Sequence, residues 1–144
     1  MTDVTVEDLI ARESALTRSF AGFAAAWLAG WAWPMFMASY FEQRNAGALA
    51  IWLFLLLVQL CLRGWYAYAA AMAAKALGGT GWHYAVWILV APLISLLPIP
   101  LVSTAIAASP LSIKFLLGGQ LQTAIRQQSM MVLHDREAAP DGDG

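Results

Sequence analysis

The sequence predicts an all-α integral membrane protein, built from an antiparallel hairpin of two long helices, a third, proline-broken transmembrane or re-entrant segment and an amphipathic C-terminal helix. Two observations lead to this prediction. The 144 residues are 60% hydrophobic and 12% charged, whereas an average soluble domain is about 25% charged. The apolar residues also form three long runs, residues 20–41, 46–77 and 82–108. We expect a single membrane domain without an internal repeat.

The first element is an amphipathic helix over residues 1–19. Thr5 precedes Asp8 by three residues, a variant of the capping box that marks the start of a helix. Acidic residues outnumber basic ones in this segment, so it lacks the positive n-region of a signal peptide. We therefore expect the N-terminal segment to be retained.

Two apolar runs joined by a short turn predict the hairpin. Residues 20–41 contain no charge and are long enough for a hydrocarbon core of about 30 Å. The four polar residues 42–45 leave room only for antiparallel neighbours. The second run, 46–77, is longer than a bilayer requires, so we expect part of it to project beyond the membrane. The glycines of residues 78–81 are expected to end it.

Prolines divide the third apolar run. Pro92, Pro98 and Pro100 are the predicted hinges, and the last two predict a break over 98–100. Each proline ring removes a backbone donor and restricts the residue before it.

A polar C-terminal region follows the third run. Ser109 and Pro110 predict the cap and the first turn of an amphipathic helix over 110–133. Residues 134–144 are polar and acidic, a composition that predicts disorder.

The basic residues bear on topology. If the third run crosses the membrane once, they divide evenly between the two sides; if it turns back at the prolines, Arg44 stands alone against seven others. The positive-inside rule favours the return, whereas the roughly 16 apolar residues before the break are short for a span. Both arrangements stay open. We expect a multi-pass protein of a bacterial inner membrane with a cytoplasmic N-terminus.

Few residues in this sequence can carry out chemistry. No Asp or Glu lies between Glu42 and Asp135, so the apolar runs lack the acidic relay of many transporters. His83 has no second histidine at similar depth for an intrachain haem, and Cys61 has no partner for a disulfide. The nearly balanced charges give no electrostatic field for nucleic acid. We therefore expect a non-catalytic protein without cofactor, metal or nucleic-acid partner.

Two sets of residues indicate association instead. Gly22, Ala26 and Gly30 recur at every fourth position, a small-residue face on which the chain's own second helix or a partner helix can pack closely. Arg63, inside the second run, is expected near the hydrocarbon boundary, where it can reach the headgroups. The residues predicted to contact lipid headgroups or a partner are Arg12, Arg18, Arg63, Lys75, Trp65, Tyr66 and Tyr68.

These observations favour a small membrane subunit or scaffold that packs against partner helices. Its expected partners are membrane lipids and other membrane-protein subunits, or further copies of itself. Two alternatives stay open. One is a homo-oligomeric pore or small transporter that uses the broken helix ends near Ser103 and Thr104, and the other is a redox anchor that binds a cofactor.

Overall fold

The computed structural model describes residues 4–41, 46–94 and 100–138, and every secondary-structure element within them is an α-helix. The four helices are α1 (Val6–Phe41), α2 (Ala46–Ala76), α3 (Trp82–Ile94) and α4 (Pro100–Ala138). The all-α prediction is confirmed.

Helices α1 and α2 form the predicted antiparallel hairpin. Near the N-terminus of α1, Arg12 Nη1 donates to the carbonyl oxygen of Met72 late in α2 (3.4 Å). Further along α1, the carbonyl of Ala26 accepts from Gln59 Nε2 (3.3 Å), which lies earlier in α2. The two contacts run in opposite chain directions, as a hairpin requires.

Helices α3 and α4 complete a bundle in which each helix packs against the next and α4 packs against α1. Gln122 Nε2 donates to Glu13 Oε1 (2.9 Å) and Gln128 Nε2 donates to the carbonyl of Val4 (3.0 Å). These contacts make α4 antiparallel to α1. The third apolar run therefore turns back between α3 and α4, and the two described ends of the chain lie at the same end of the bundle.

Two predicted boundaries are absent from the structure. Residues 1–19 and 20–41 were predicted as separate elements, but the described part of both belongs to one helix, α1. The hydroxyl of Thr5 caps this helix as predicted, with Asp8 N–H donating to Oγ1 (3.3 Å). Likewise, residues 100–108 continue without interruption into the helix predicted over 110–133.

Helix α4 continues through Pro110, where the sequence predicted a helix start. Because proline has no N–H, the Ile106 carbonyl loses its usual donor. Ser109 Oγ donates to that carbonyl instead (2.7 Å), and accepts from Trp87 Nε1 (2.8 Å). The Tyr66 hydroxyl donates to the Pro110 carbonyl (2.9 Å). Side chains from two neighbouring helices therefore hold this turn in place.

The other predicted hinges and the tail also need correction. Helix α3 continues through Pro92, and α4 begins at Pro100, where the fixed φ angle of proline suits a helix start. Pro98 lies outside the described residues. The disorder predicted over 134–144 is wrong for its first five residues, because α4 extends to Ala138; the rest of that segment also lies outside the description.

Glycine ends α2 as predicted. Gly78 has a φ angle of 80°, in the left-handed region that glycine adopts without a steric penalty. Its N–H donates to the Lys75 carbonyl (3.1 Å), and the N–H of Gly79 donates to the Ala74 carbonyl (2.9 Å). This pair of bonds is the Schellman motif, which satisfies the last carbonyls of a helix.

The buried core lies toward the end of the bundle that holds residue 4 and residue 138, the two described ends of the chain; we call it the packed end. Within the described residues, α2 contributes to this core from Tyr66 onward. The opposite end, which includes residues 49–60 of α2, is called the apolar end. The core residues are Leu9, Leu16, Phe23, Tyr66, Ala67, Ala69, Ala70, Ala73, Ala74, Ile88, Ile113, Leu117 and Leu121.

Candidate functional site

The small-residue face of α1 packs against the chain's own second helix. A Cβ atom on Gly22 would lie 3.1 Å from Leu62 Cδ2, and the Ala26 carbonyl accepts from Gln59. The surroundings of Gly30 lie outside the described part of the chain. Of the two uses that the sequence left open for this face, the structure shows the internal one at Gly22 and Ala26.

The apolar end exposes hydrophobic side chains on every side of α2. Leu53, Phe54 and Leu57 are 52%, 64% and 59% exposed. Successive helix residues point about 100° apart, so the exposed run 53–57 covers the whole circumference. Within the described residues, Leu49–Ala76 is the helix segment long and apolar enough to cross a membrane, and Trp82–Leu93 is a shorter apolar helix. The exposed large residues in this part of α2 are Leu49, Ile51, Leu53, Phe54, Leu55, Leu56, Leu57, Val58 and Leu60.

Aromatic and cationic side chains lie where the apolar end meets the packed end. The Lys114 ammonium is 5.6 Å from the centroid of the Phe20 ring and 5.3 Å from that of Phe115, within the range of cation–π attraction. Trp65 packs above Gly22 at the same level. The exposed aromatic residues around this boundary are Trp65, Tyr68 and Phe115. Trp82, which is also exposed, begins α3 deeper in the packed end, where the preceding Gly81 lies against Ala71.

Arg63 lies at this boundary, but its side chain points inward. Its guanidinium carbon is 6.0 Å from the centroid of the Phe23 ring, and Phe23 belongs to the buried core. Tyr66, one turn further along α2, is fully buried and stacks on Phe23 with ring centroids 4.9 Å apart. Tyr66 is therefore not available for contact with lipid headgroups, and Arg63 is partly buried.

Three of the predicted contact residues line one groove between α1 and α2. Arg12, Trp65 and Tyr68 converge there on a hollow of about 310 Å³. Arg18 and Lys75 are exposed but do not line this groove. The remaining lining residues are Asp8, Ala11, Ala15, Ala69 and Met72.

Asp8 also lines this groove, a position that was not predicted from the sequence. Asp8 and Arg12 are four residues apart on α1, a spacing that puts two side chains on one face of a helix. That spacing is a usable signal, but Asp8 was assigned only a capping role. Its carboxylate does accept from the Thr5 hydroxyl (3.1 Å), and it also lines the groove. Asp8 therefore takes part in the helix cap and also lines the groove.

A second groove lies between α3 and α4 and has a volume of about 470 Å³. His83 lines it, and its Nδ1 lies 3.2 Å from the Thr80 hydroxyl. The other lining residues are almost all apolar, so the groove suits hydrocarbon better than a polar substrate. Those residues are Trp82, Tyr84, Val86, Trp87 and Ile113.

The described residues hold no group of three His, Cys, Asp or Glu side chains that could bind a metal ion. What the two grooves offer is apolar contact together with a few charges, which is the chemistry of binding. Comparisons with known protein families, with curated proteins and with solved structures find no match.

Proposed function

We propose that the protein is a small, non-catalytic integral membrane subunit or scaffold, with its apolar end in a bilayer and its packed end in water. The observation that carries this proposal is the exposure of residues 53–57 around the whole of α2. Each exposed leucine or phenylalanine side chain costs about 1.5–3 kcal/mol in water relative to burial. A helix that is apolar all round is typical of a site surrounded by lipid or protein.

The order of residues along the bundle supports lipid as that environment. The apolar end is followed by the exposed aromatic residues Trp65 and Phe115, and then by the charges of the packed end. Aromatic side chains with an apolar body and a polar edge concentrate at membrane–water interfaces. A surface covered only by protein does not require this order on two helices, α2 and α4, at one level.

The return of α4 beside α3 supports a cytoplasmic packed end in a bacterial inner membrane. In the sequence, Arg44 falls between α1 and α2, whereas the other basic residues belong to described helices, at the boundary or in the packed end. The positive-inside rule then orients both described chain ends toward the cytoplasm. The basic residues on that side are Arg12, Arg18, Arg63, Lys75, Lys114, Arg126 and Arg136.

The scaffold role rests on the surface that remains free for partner helices. Because α2 covers the Gly22 and Ala26 face, a partner helix would pack on the outward side of α2, where Phe54 and Leu57 are exposed. A homo-oligomer is a case of the same proposal, with the partner being a second copy.

Cysteine accessibility tests the embedding. After Cys61 is replaced by alanine, single cysteines are introduced as Leu57→Cys at the apolar end and Gln127→Cys at the packed end, both exposed in the structure. We expect a membrane-impermeant maleimide to label position 127 only in inside-out vesicles and position 57 in neither orientation. Rapid labelling at position 57 would contradict the embedding.

Native mass spectrometry in a mild detergent tests the scaffold role separately. We expect the protein to be retained with a second copy or with another membrane protein. Phe54→Ala and Leu57→Ala should weaken that association, whereas Arg126→Gln at the exposed packed end is the control. A clean monomer with no co-purifying protein would count against a scaffold.

A further inference from the structure

The α1–α2 groove places three kinds of side chain in order along the bundle axis. Trp65 lies nearest the apolar end, beside Gly22. Arg12 lies further toward the packed end, beside Met72, and Asp8 lies one helical turn beyond Arg12. Four residues of helix separate Asp8 from Arg12, a rise of about 6 Å. The groove therefore offers an apolar wall, then a cation and then a carboxylate.

The hydrogen bonds of Arg12 are incomplete. Its Nη1 donates to the Met72 carbonyl at 3.4 Å, the long limit for such a bond. Its Nε is buried and has no acceptor among the described residues. A guanidinium has five N–H donors, and buried donors are almost always paired. The buried Nε is closed to a ligand, but Nη2 has no acceptor among the described residues, so Arg12 can bind an additional acceptor through that nitrogen.

Asp8 does not neutralise Arg12. Although the two side chains share one face of α1, no ion pair joins them within the part of the chain that the structure describes. The Asp8 carboxylate accepts from the Thr5 hydroxyl through Oδ2, and the side chain remains exposed. The Arg12 guanidinium and the Asp8 carboxylate thus line the same groove without pairing with each other. This arrangement suits a ligand that carries both a negative and a positive charge.

We infer that this groove binds the headgroup of an amine-bearing phospholipid, with the phosphate on Arg12 and the ammonium on Asp8. The inference rests on the proposed membrane embedding. The phosphate accepts from the guanidinium, whose planar donors match its oxygens. The two carbons of an ethanolamine carry the ammonium onward toward Asp8.

The position of the groove favours a lipid over a soluble ligand. Its lower end opens beside Trp65 at the boundary of the apolar end, so the acyl chains continue directly along the exposed hydrophobic surface of α2. Arg12 donates to the Met72 carbonyl, seven residues of α2 beyond Trp65 and therefore about 10 Å further from the apolar end. A lipid bound here would have its headgroup drawn out along the groove, beyond the surrounding headgroups, and the two unpaired charges would hold it there.

The test uses the full chain in nanodiscs that contain equal amounts of phosphatidylcholine, phosphatidylethanolamine and phosphatidylglycerol with identical acyl chains. After transfer to a mild detergent, native mass spectrometry counts the retained lipids. We expect phosphatidylethanolamine to be retained about threefold over the other two, the size of one exposed ionic contact. The quaternary ammonium of choline cannot donate a hydrogen bond to Asp8, and the glycerol headgroup has no cation.

Two variants assign the two contacts. Arg12→Gln should lower retention of all three lipids about tenfold, because it removes charge-assisted hydrogen bonds to the phosphate; Arg12→Lys, which keeps the charge, should lose less. Asp8→Asn keeps an acceptor for Thr5 and should reduce the preference for ethanolamine to parity. The control variants are Glu7→Gln and Arg126→Gln, which alter exposed charges outside the groove and should change neither quantity.

Several results would overturn the inference. Equal retention of the three lipids by the wild-type protein would overturn it on its own. An unchanged preference for phosphatidylethanolamine in Asp8→Asn, or unchanged lipid retention in Arg12→Gln, would also overturn it. If soluble phosphoethanolamine displaces the bound lipid as effectively as an equal concentration of phosphatidylethanolamine does, the acyl chains have no role in binding. A photocrosslinker at Ala15 that captures a polypeptide would assign the groove to a protein partner. Failure to enter nanodiscs at all would instead refute the embedding.

Discussion

Replacing Tyr66 by phenylalanine removes one buried hydroxyl and keeps the ring. The ring is fully buried, stacks on Phe23 and meets Phe20 edge-on at 5.8 Å, so these contacts survive the change. The hydrogen bond to the Pro110 carbonyl (2.9 Å) is lost. Such a loss costs about 1–2 kcal/mol when the acceptor stays buried, or about 3–6 °C in melting temperature for a chain of this size.

Thermal unfolding of the detergent-solubilised protein, followed by near-ultraviolet circular dichroism, measures this effect. Tyr68→Phe is the matched control, because Tyr68 lies on the same helix but is 65% exposed; it should melt like the wild type. Tyr66→Ala, which also removes the ring, should cost about 3–5 kcal/mol. If Tyr66→Phe and Tyr68→Phe melt at the same temperature, the Tyr66 hydroxyl does not link α2 to α4.

Three further substitutions test other contacts in the same unfolding assay or by labelling. Gly22→Leu should clash with Leu62 and cost about 1–3 kcal/mol, whereas Gly64→Ala, which meets nothing within 4 Å, should be nearly neutral. Ser109→Ala should cost about 1–2 kcal/mol because the Ile106 carbonyl loses its donor; an equal loss for Ser112→Ala would contradict this. Arg63→Cys should label more slowly than Trp65→Cys, and equal rates would show that position 63 faces outward.

The local features of this fold follow from short stretches of sequence. The Thr5 cap, the glycine end of α2 and the α1–α2 hairpin each depend on residues close together in the chain, and the physical reasons for them are local. The level of Arg63 relative to α1, beside Phe23, could be predicted in the same way, since a short turn fixes the register of two antiparallel helices. These features need no knowledge of the other helices.

The features that were mispredicted depend on distant residues. A proline at position 110 normally marks a helix start, but here Ser109, Trp87 and Tyr66 supply the hydrogen bonds that allow α4 to continue. The inward direction of Arg63 and the burial of Tyr66 depend on Phe23 in another helix. Asp8 joins the candidate site because α2 closes the groove beside it. Single-sequence patterns do not contain these tertiary contacts.

Helix α1 runs without a break from the packed end into the apolar end, so any tilt of its apolar half also moves its other half. Its 36 residues form a rod about 54 Å long. If the apolar half sits in a bilayer, a change in membrane thickness alters the tilt that this half adopts. A change of about 10° would move the far end of the remaining ~27 Å by about 5 Å. Because α2 packs along α1 and would tilt with it, bilayer thickness would then set the position of the packed end relative to the membrane surface.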